Sequence, residues 1–282
     1  VQFGLLAAGA GAALGGGYEF VRAHVSAERA KAEEEGRRRA QEEQDRRRKQ
    51  EDAARAEAER RRVEAARARA EEAAAKGFEA QRRAQAEARA AQAAKQQALS
   101  AQECGRRAAG RARNGTSGHY QGKLTDGTEY EGQLNAQKLI DGCGIKIMPD
   151  KRRFEGQMNA GKVHGYVVFL GNDSSRFEGA YSANDVNGYG VYRYPQGHEL
   201  QGKFVGLMVD GPAVWIQTNG TRYEGEMRRS RWWGFGATRE PNGDVYAGEF
   251  IDGMRHGLGV HTAAAGGKTF GRWEKGEYKG IE

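Results

Sequence analysis

One feature limits what this chain can fold into more than any other. From Tyr130 onward a motif of aromatic, acidic residue and glycine returns in nearly fixed phase. It reads Tyr130-Glu131-Gly132, Phe154-Glu155-Gly156, Phe177-Glu178-Gly179, Leu200-Gln201-Gly202, Tyr223-Glu224-Gly225, Tyr246-Ala247-Gly248 and Thr269-Phe270-Gly271. The glycines lie 24 and then repeatedly 23 residues apart, and Tyr120-Gln121-Gly122 is a truncated copy ahead of them. A period of this size means one small supersecondary unit per repeat, which cannot bury its apolar face without neighbours.

Two further signals divide each period. Nine to ten residues after each glycine comes a second glycine cluster: Gly142-Cys143-Gly144, Gly165-Tyr166-Val167, Gly188-Tyr189-Gly190, Gly211-Pro212-Ala213, Gly234-Phe235-Gly236 and Gly257-Leu258-Gly259. Just before the aromatic stands a turn pair, as in Asp126-Gly127, Asn219-Gly220 and Asn242-Gly243. Such pairs supply the positive φ angles of tight hairpin turns. Each period is therefore a hairpin. Residues two apart share a strand face, so Tyr223, Gly225 and Met227 point the same way, and Gly225 leaves room for a ring to lie over its backbone.

This pattern resembles the MORN repeat over about residues 120–280. Lys162-Val163-His164-Gly165 and Met254-Arg255-His256-Gly257-Leu258-Gly259 are particularly close, while Gly211-Pro212-Ala213 and Trp232-Trp233 depart from it. The resemblance implies stacked hairpins in one twisted antiparallel sheet, with Gly132, Gly156, Gly179, Gly202, Gly225, Gly248 and Gly271 as its structural landmarks. It also implies a role in protein assembly and at membranes rather than catalysis.

The residues before the repeats are built differently. Residues 22–104 are mostly Ala, Arg, Glu, Gln and Lys, without proline, and acids recur four places ahead of bases, as in Glu43 and Arg47 or Glu57 and Arg61. That composition predicts a long charged helix. Large apolar residues keep no heptad, which excludes a leucine zipper and leaves a solvated spacer or alanine-stripe packing. Gly36 and Gly77 are expected bend points, and 105–119, with four glycines, is expected to be a linker before the array at 120–282. Residues 1–21 are apolar and rich in Gly and Ala at four-residue spacing, an expected membrane anchor. The expected fold class is thus α plus all-β: an apolar helix, a long charged helix, then the hairpin sheet.

Charge and cysteine content narrow the function. Residues 22–113 hold 25 Lys+Arg and 17 Asp+Glu, leaving 20 and 21 for the remainder, so basicity belongs to the helix and the repeats are near neutral. Nucleic acid is not an expected partner; anionic lipid contact by the basic helix is open. Cys104 and Cys143 exclude a cysteine-based zinc site but not a single disulfide. No catalytic, metal or cofactor motif occurs, and the repeated Glu131, Glu155, Glu178 and Glu224 are expected to form a solvated row. Most aromatics of the middle repeats are expected to be core. Arg228, Arg229, Arg231, Trp232 and Trp233 form the expected partner-binding patch.

The function these readings imply is a membrane-anchored scaffold, not an enzyme, that meets a protein partner through the repeat sheet. A subunit of a large membrane or filamentous complex, a lipid-binding adaptor and a homo-oligomer stay open. Arg22, Arg29 and Lys31 after the apolar run put the repeats on the cytoplasmic side; an organelle membrane follows if an upstream presequence is removed.

Overall fold

The computed structural model describes residues 13–281, with side chains from residue 22. It contains one helix, α1 (Ala13–Arg113), and a single sheet whose spatial order is the sequence order. The strands are β1 (His119–Lys123), β2 (Glu129–Leu134), β3 (Ile140–Ile147), β4 (Arg153–Asn159), β5 (Lys162–Leu170), β6 (Arg176–Ser182), β7 (Asp185–Arg193) and β8 (Glu199–Val205). They continue as β9 (Gly211–Ile216), β10 (Arg222–Arg228), β11 (Arg231–Arg239), β12 (Val245–Ile251), β13 (Met254–Thr262), β14 (Lys268–Glu274) and β15 (Glu277–Gly280). The chain divides into two compact units, up to Arg62 and from Val63.

In the first unit every described side chain is exposed, so burial does not hold the helix. Ion pairs one turn apart do: Arg47 meets Glu43 at 2.6 Å and Arg61 meets Glu57 at 2.5 Å. Each contributes a few tenths of a kcal/mol, by the usual magnitude of about 0.2–0.5. α1 passes through Gly36 without interruption, so the expected bend there is absent. The expected membrane anchor falls largely outside the described residues. Among the described residues no helix is long and apolar enough to cross a membrane.

In the second unit the sheet's register turns the sequence period into straight rows. Gly132, Gly144, Gly156, Val167, Gly179, Gly190, Gly202, Ala213, Gly225, Gly236, Gly248, Gly259 and Gly271 are successive cross-strand partners. On one face the motif aromatics lie over this row. Tyr223 is fully buried, its hydroxyl above Gly225 and its ring above Gly236, where a Cβ would approach to within 2.7 Å. Rings of successive repeats meet edge to face: Phe177 with Phe204 at 5.2 Å, Tyr223 with Phe250 at 5.0 Å, Tyr246 with Trp273 at 5.0 Å. The hairpins thereby bury one another's aromatics, as neighbours in a repeat array must.

The residue after the motif glycine has a job that the sequence did not reveal. The pairs β2–β3, β4–β5, β6–β7, β10–β11 and β12–β13 bulge just after the motif glycine. There Gln133, Gln157, Glu226 and Glu249 accept a hydrogen bond from the backbone N–H of Cys143, Tyr166, Phe235 and Leu258. The preceding glycine, Gly234 for instance, sits at a φ of 68°, and a Cβ there would strike the Glu226 carboxylate. This accounts for the first glycine of the second cluster.

The two turns of each period belong to different classes. The Asn-Gly turns carry positive φ only at the glycine, as at Gly220, with Gly220 N–H donating to the Gln217 carbonyl. These are type I turns closed by a left-handed glycine. The two-residue turns with both φ positive lie on the opposite edge, at Ala160-Gly161, Ala183-Asn184, Arg229-Ser230, Asp252-Gly253 and Lys275-Gly276.

Candidate functional site

The other face of the sheet is occupied by the chain's own helix. Next to the glycine row runs a row of cross-strand partners that includes Glu131, Ile145, Glu155, Val168, Glu178, Val191, Gln201, Val214 and Glu224. The expected solvated row of acids is therefore a correction: Glu155, Glu178 and Glu224 are buried, with Glu155 only 1% exposed. Residues of α1 satisfy each of them. Arg113 pairs with Glu131 at 2.5 Å, Lys95 with Glu178 at 3.2 Å, and Arg106 with Glu155 at 3.0 Å. Gln102 donates to Glu155 at 2.6 Å, and Gln81 and Gln85 donate to Glu224 at 2.5 and 2.9 Å. Burial pushes the Glu155 carboxyl up, but hydrogen bonds from Arg153, Gln102 and Arg106 outweigh it and hold the group below the ordinary value. Glu224 behaves alike, with Gln81, Gln85 and Arg222 opposing its burial.

Between these polar anchors an alanine stripe fills the contact. Ala70 and Ala74 pack on Ala237, Ala247 and Val260, and Ala84 and Ala88 pack on Val214. From Val63 onward, then, the expected spacer is an alanine-faced helix whose partner is its own sheet. Gly77 is not a bend: a Cβ there would lie 2.6 Å from the Gly236 carbonyl oxygen and 2.7 Å from the Gly248 nitrogen. Gly105 is not a linker residue, because α1 runs on to Arg113 and the same close approach brings Gly105 to Gly144. Beside it, Cys104 and Cys143 form a disulfide that joins the helix to β3, with Cα atoms 5.7 Å apart. Small residues let helix and sheet backbones approach, which is why a segment poor in large apolar side chains still docks.

With both faces filled, the edge carrying the two-residue turns is one of the surfaces left for contacts. Four of the five patch residues come together there, and Trp232 does not. Trp232 belongs to the aromatic face, stacked on Tyr223 at 4.6 Å and meeting Phe250 edge-on at 5.9 Å. Arg228, Arg229, Arg231 and Trp233 line a cavity of about 430 Å³ with Asp252. Arg228 lies over the Trp233 ring at 5.2 Å, and Arg231 reaches Asp252 at 3.5 Å. Of the aromatics in the middle repeats, Tyr192, Tyr194 and Trp215 pack on one another and Tyr189 turns to Glu87 of the helix. Missed from the sequence was the neighbouring turn, where Val205, Leu207 and Met208 are 68%, 52% and 53% exposed.

No arrangement of described residues points to catalysis. Among them no group of three or more His, Cys, Asp or Glu could hold a metal ion. His164 and His198 receive backbone N–H groups at 3.4 and 3.3 Å from the next repeat's turns, a structural use.

The MORN repeat family model matches residues 177–199 and 246–268, each one full period of the array. The chain carries MORN repeats. The structure extends the same hairpin and row pattern well beyond the two matched copies. No curated protein matches the chain. Among solved structures, the SAS-4 (dCPAP) TCP domain of Drosophila melanogaster, in complex with a proline-rich motif of Ana2 (dSTIL), is 11% identical. It covers 55% of this chain and 90% of its own, with a TM-score of 0.34. The G-box domain of the microcephaly protein CPAP is 15% identical over 56% of this chain and 100% of its own, at a TM-score of 0.20. The TCP10 domain of Danio rerio CPAP gives 16%, 54%, 93% and 0.19. Likenesses this distant carry no argument about partners.

Proposed function

We propose that this MORN-repeat chain is a non-catalytic scaffold that meets a protein partner along the turn edge of its sheet. One observation carries the reading: α1 covers one sheet face, aromatic rings fill the other, and the large exposed apolar side chains Val205, Leu207 and Met208 collect on a turn of that edge. The rigidity of a sheet so filled suits presentation of a fixed surface. The test is site-specific photo-crosslinking in the native cell extract, with the crosslinker at Leu207, Arg229, Met254 or Arg61. Crosslinks to protein from the turn-edge positions and none from Arg61 are expected. If no position yields a crosslink, the scaffold reading fails.

Membrane anchoring through residues 1–21 is part of the same proposal, supported by their apolar composition. The full chain should then stay with membranes after alkaline carbonate extraction, and its release would end that part. The Cys104–Cys143 disulfide favours a different topology from the one the basic residues after the apolar run imply. Disulfides persist in oxidising compartments and are rare in the cytosol. We therefore propose that the repeats face an oxidising space. Trypsin added to sealed vesicles tells the two apart, since repeats on the lumenal side resist cleavage until detergent opens the membrane.

A further inference from the structure

Two adjacent turns of the edge form one surface with two chemistries. The turn between β8 and β9 exposes Val205, Leu207 and Met208, and at the position of Leu207 other repeats place Gly161 and Asn184. The turn between β10 and β11 presents Arg228, Arg229 and Arg231 around the cavity with Trp233 and Asp252. Three hydrogen bonds lock the turns together. Val209 N–H donates to the Ser230 hydroxyl at 2.9 Å, Ser230 N–H to the Val209 carbonyl at 2.8 Å, and Arg229 N–H to the Asp210 carboxylate at 2.8 Å. Arg229 and Ser230 both hold positive φ, at 49° and 60°, and among the turns of this class theirs alone contains neither Gly nor Asn. The links from the neighbouring turn hold that backbone, so the arginine is kept at the tip where a glycine would relax it.

We propose that this composite surface binds a protein segment in which carboxylates stand beside aliphatic side chains. The charge is unbalanced in favour of an anion: Arg231 meets Asp252, while among the described residues Arg228 and Arg229 have no carboxylate within ion-pair distance. Planar guanidinium groups, one already stacked on an indole, match carboxylate geometry in a two-pronged way. The exposed aliphatic tip next to them gives apolar side chains of the same segment a place to leave water. A membrane surface is the weaker occupant. The repeats are near neutral, so they lack the field that draws a polybasic surface to anionic lipid, and the arginines line a concavity instead of a flat face.

The proposal rests on the scaffold reading and can fail without it. The probe is a fluorescein-labelled twelve-residue peptide of four Glu-Glu-Leu triplets, titrated with the full chain and followed by anisotropy. Saturable binding is expected. It should weaken at least tenfold with Arg229→Glu plus Arg231→Glu, and at least tenfold with Leu207→Asp plus Met208→Asp. The same substitution of sign at a distant turn, Lys275→Glu, should leave it unchanged. Peptides with Lys for Glu, or Ser for Leu, should not bind. Unchanged tryptophan emission of each variant shows that the sheet is intact. Absence of saturable binding, undiminished binding by either double variant, or binding only to phosphatidylserine vesicles overturns the proposal. Crosslinks from Leu207 or Met254 in the earlier experiment would in that case leave the scaffold standing.

Discussion

Changing Gly77 to alanine separates the helix's own preference from its packing. In a solvated helix the change from glycine to alanine stabilises by about 1 kcal/mol. At Gly36, where an added Cβ meets nothing within 4 Å, that gain should appear in full. At Gly77 the same methyl group lands 2.6 Å from the Gly236 carbonyl oxygen and 2.7 Å from the Gly248 nitrogen. Both are backbone atoms of paired strands, so no side chain can swing aside. Overpacking of this kind costs about 1–3 kcal/mol. Set against the helix gain, the net is a loss of up to about 2 kcal/mol. For a unit of this size each kcal/mol moves Tm by about 2–4 °C. Tryptophan fluorescence follows the sheet unit, since Trp215, Trp232, Trp233 and Trp273 all lie in strands. Circular dichroism follows helix content. Gly36→Ala should raise helicity without moving the fluorescence transition, and Gly77→Ala should lower that transition by several degrees. A Gly77→Ala protein more stable by fluorescence than the parent would refute the close docking of α1.

The disulfide closes a loop of 39 residues, so its reduction should remove about 4 kcal/mol from the sheet unit, read as a lower urea midpoint with dithiothreitol; an unchanged midpoint would contradict the Cys104–Cys143 link. Acid should loosen the helix from the sheet. Glu155 and Glu224 are held below the ordinary glutamate value of 4.5 in the folded state, so their stabilisation is present above that pH and is lost as pH falls through the folded values. Denaturation at pH 3 should therefore come earlier than at pH 6, and Glu155→Gln plus Glu224→Gln should flatten that dependence. Trp232→Ala should cost about 3 kcal/mol by emptying the stack on Tyr223, whereas exposed Arg229→Ala should stay within about 0.5 kcal/mol, both measured by urea titration.

Much of the array was legible in the residues alone. Period, hairpin count, the aromatic face and the glycine row depend on contacts between a residue and its copies in adjacent repeats, so a sequence that repeats displays them. The charged helix was legible up to Arg62 for a similar reason. Its supporting pairs, such as Glu43 with Arg47, are four residues apart and need no tertiary partner.

Contacts between dissimilar parts were not legible. Nothing in the spacing of Ala70, Ala74, Ala84 and Ala88 says that the surface they require is a sheet of the same chain. Without that surface, Gly77 and Gly105 look like breaks and Glu155 and Glu224 look solvated. With it, the glycines are points of backbone contact and the acids are buried anchors. The patch around Arg229 was split by the same cause. Alternation along β11 sends Trp232 to the aromatic face and Arg231 and Trp233 to the other, and only hydrogen bonds between Val209-Asp210 and Arg229-Ser230 bring the turn of Leu207 and Met208 to the turn of the arginines. The repeat by itself determined a stacked hairpin sheet, because its information is periodic and local. Which face that sheet keeps covered was decided by a helix distant in sequence, through packing that has no period to read.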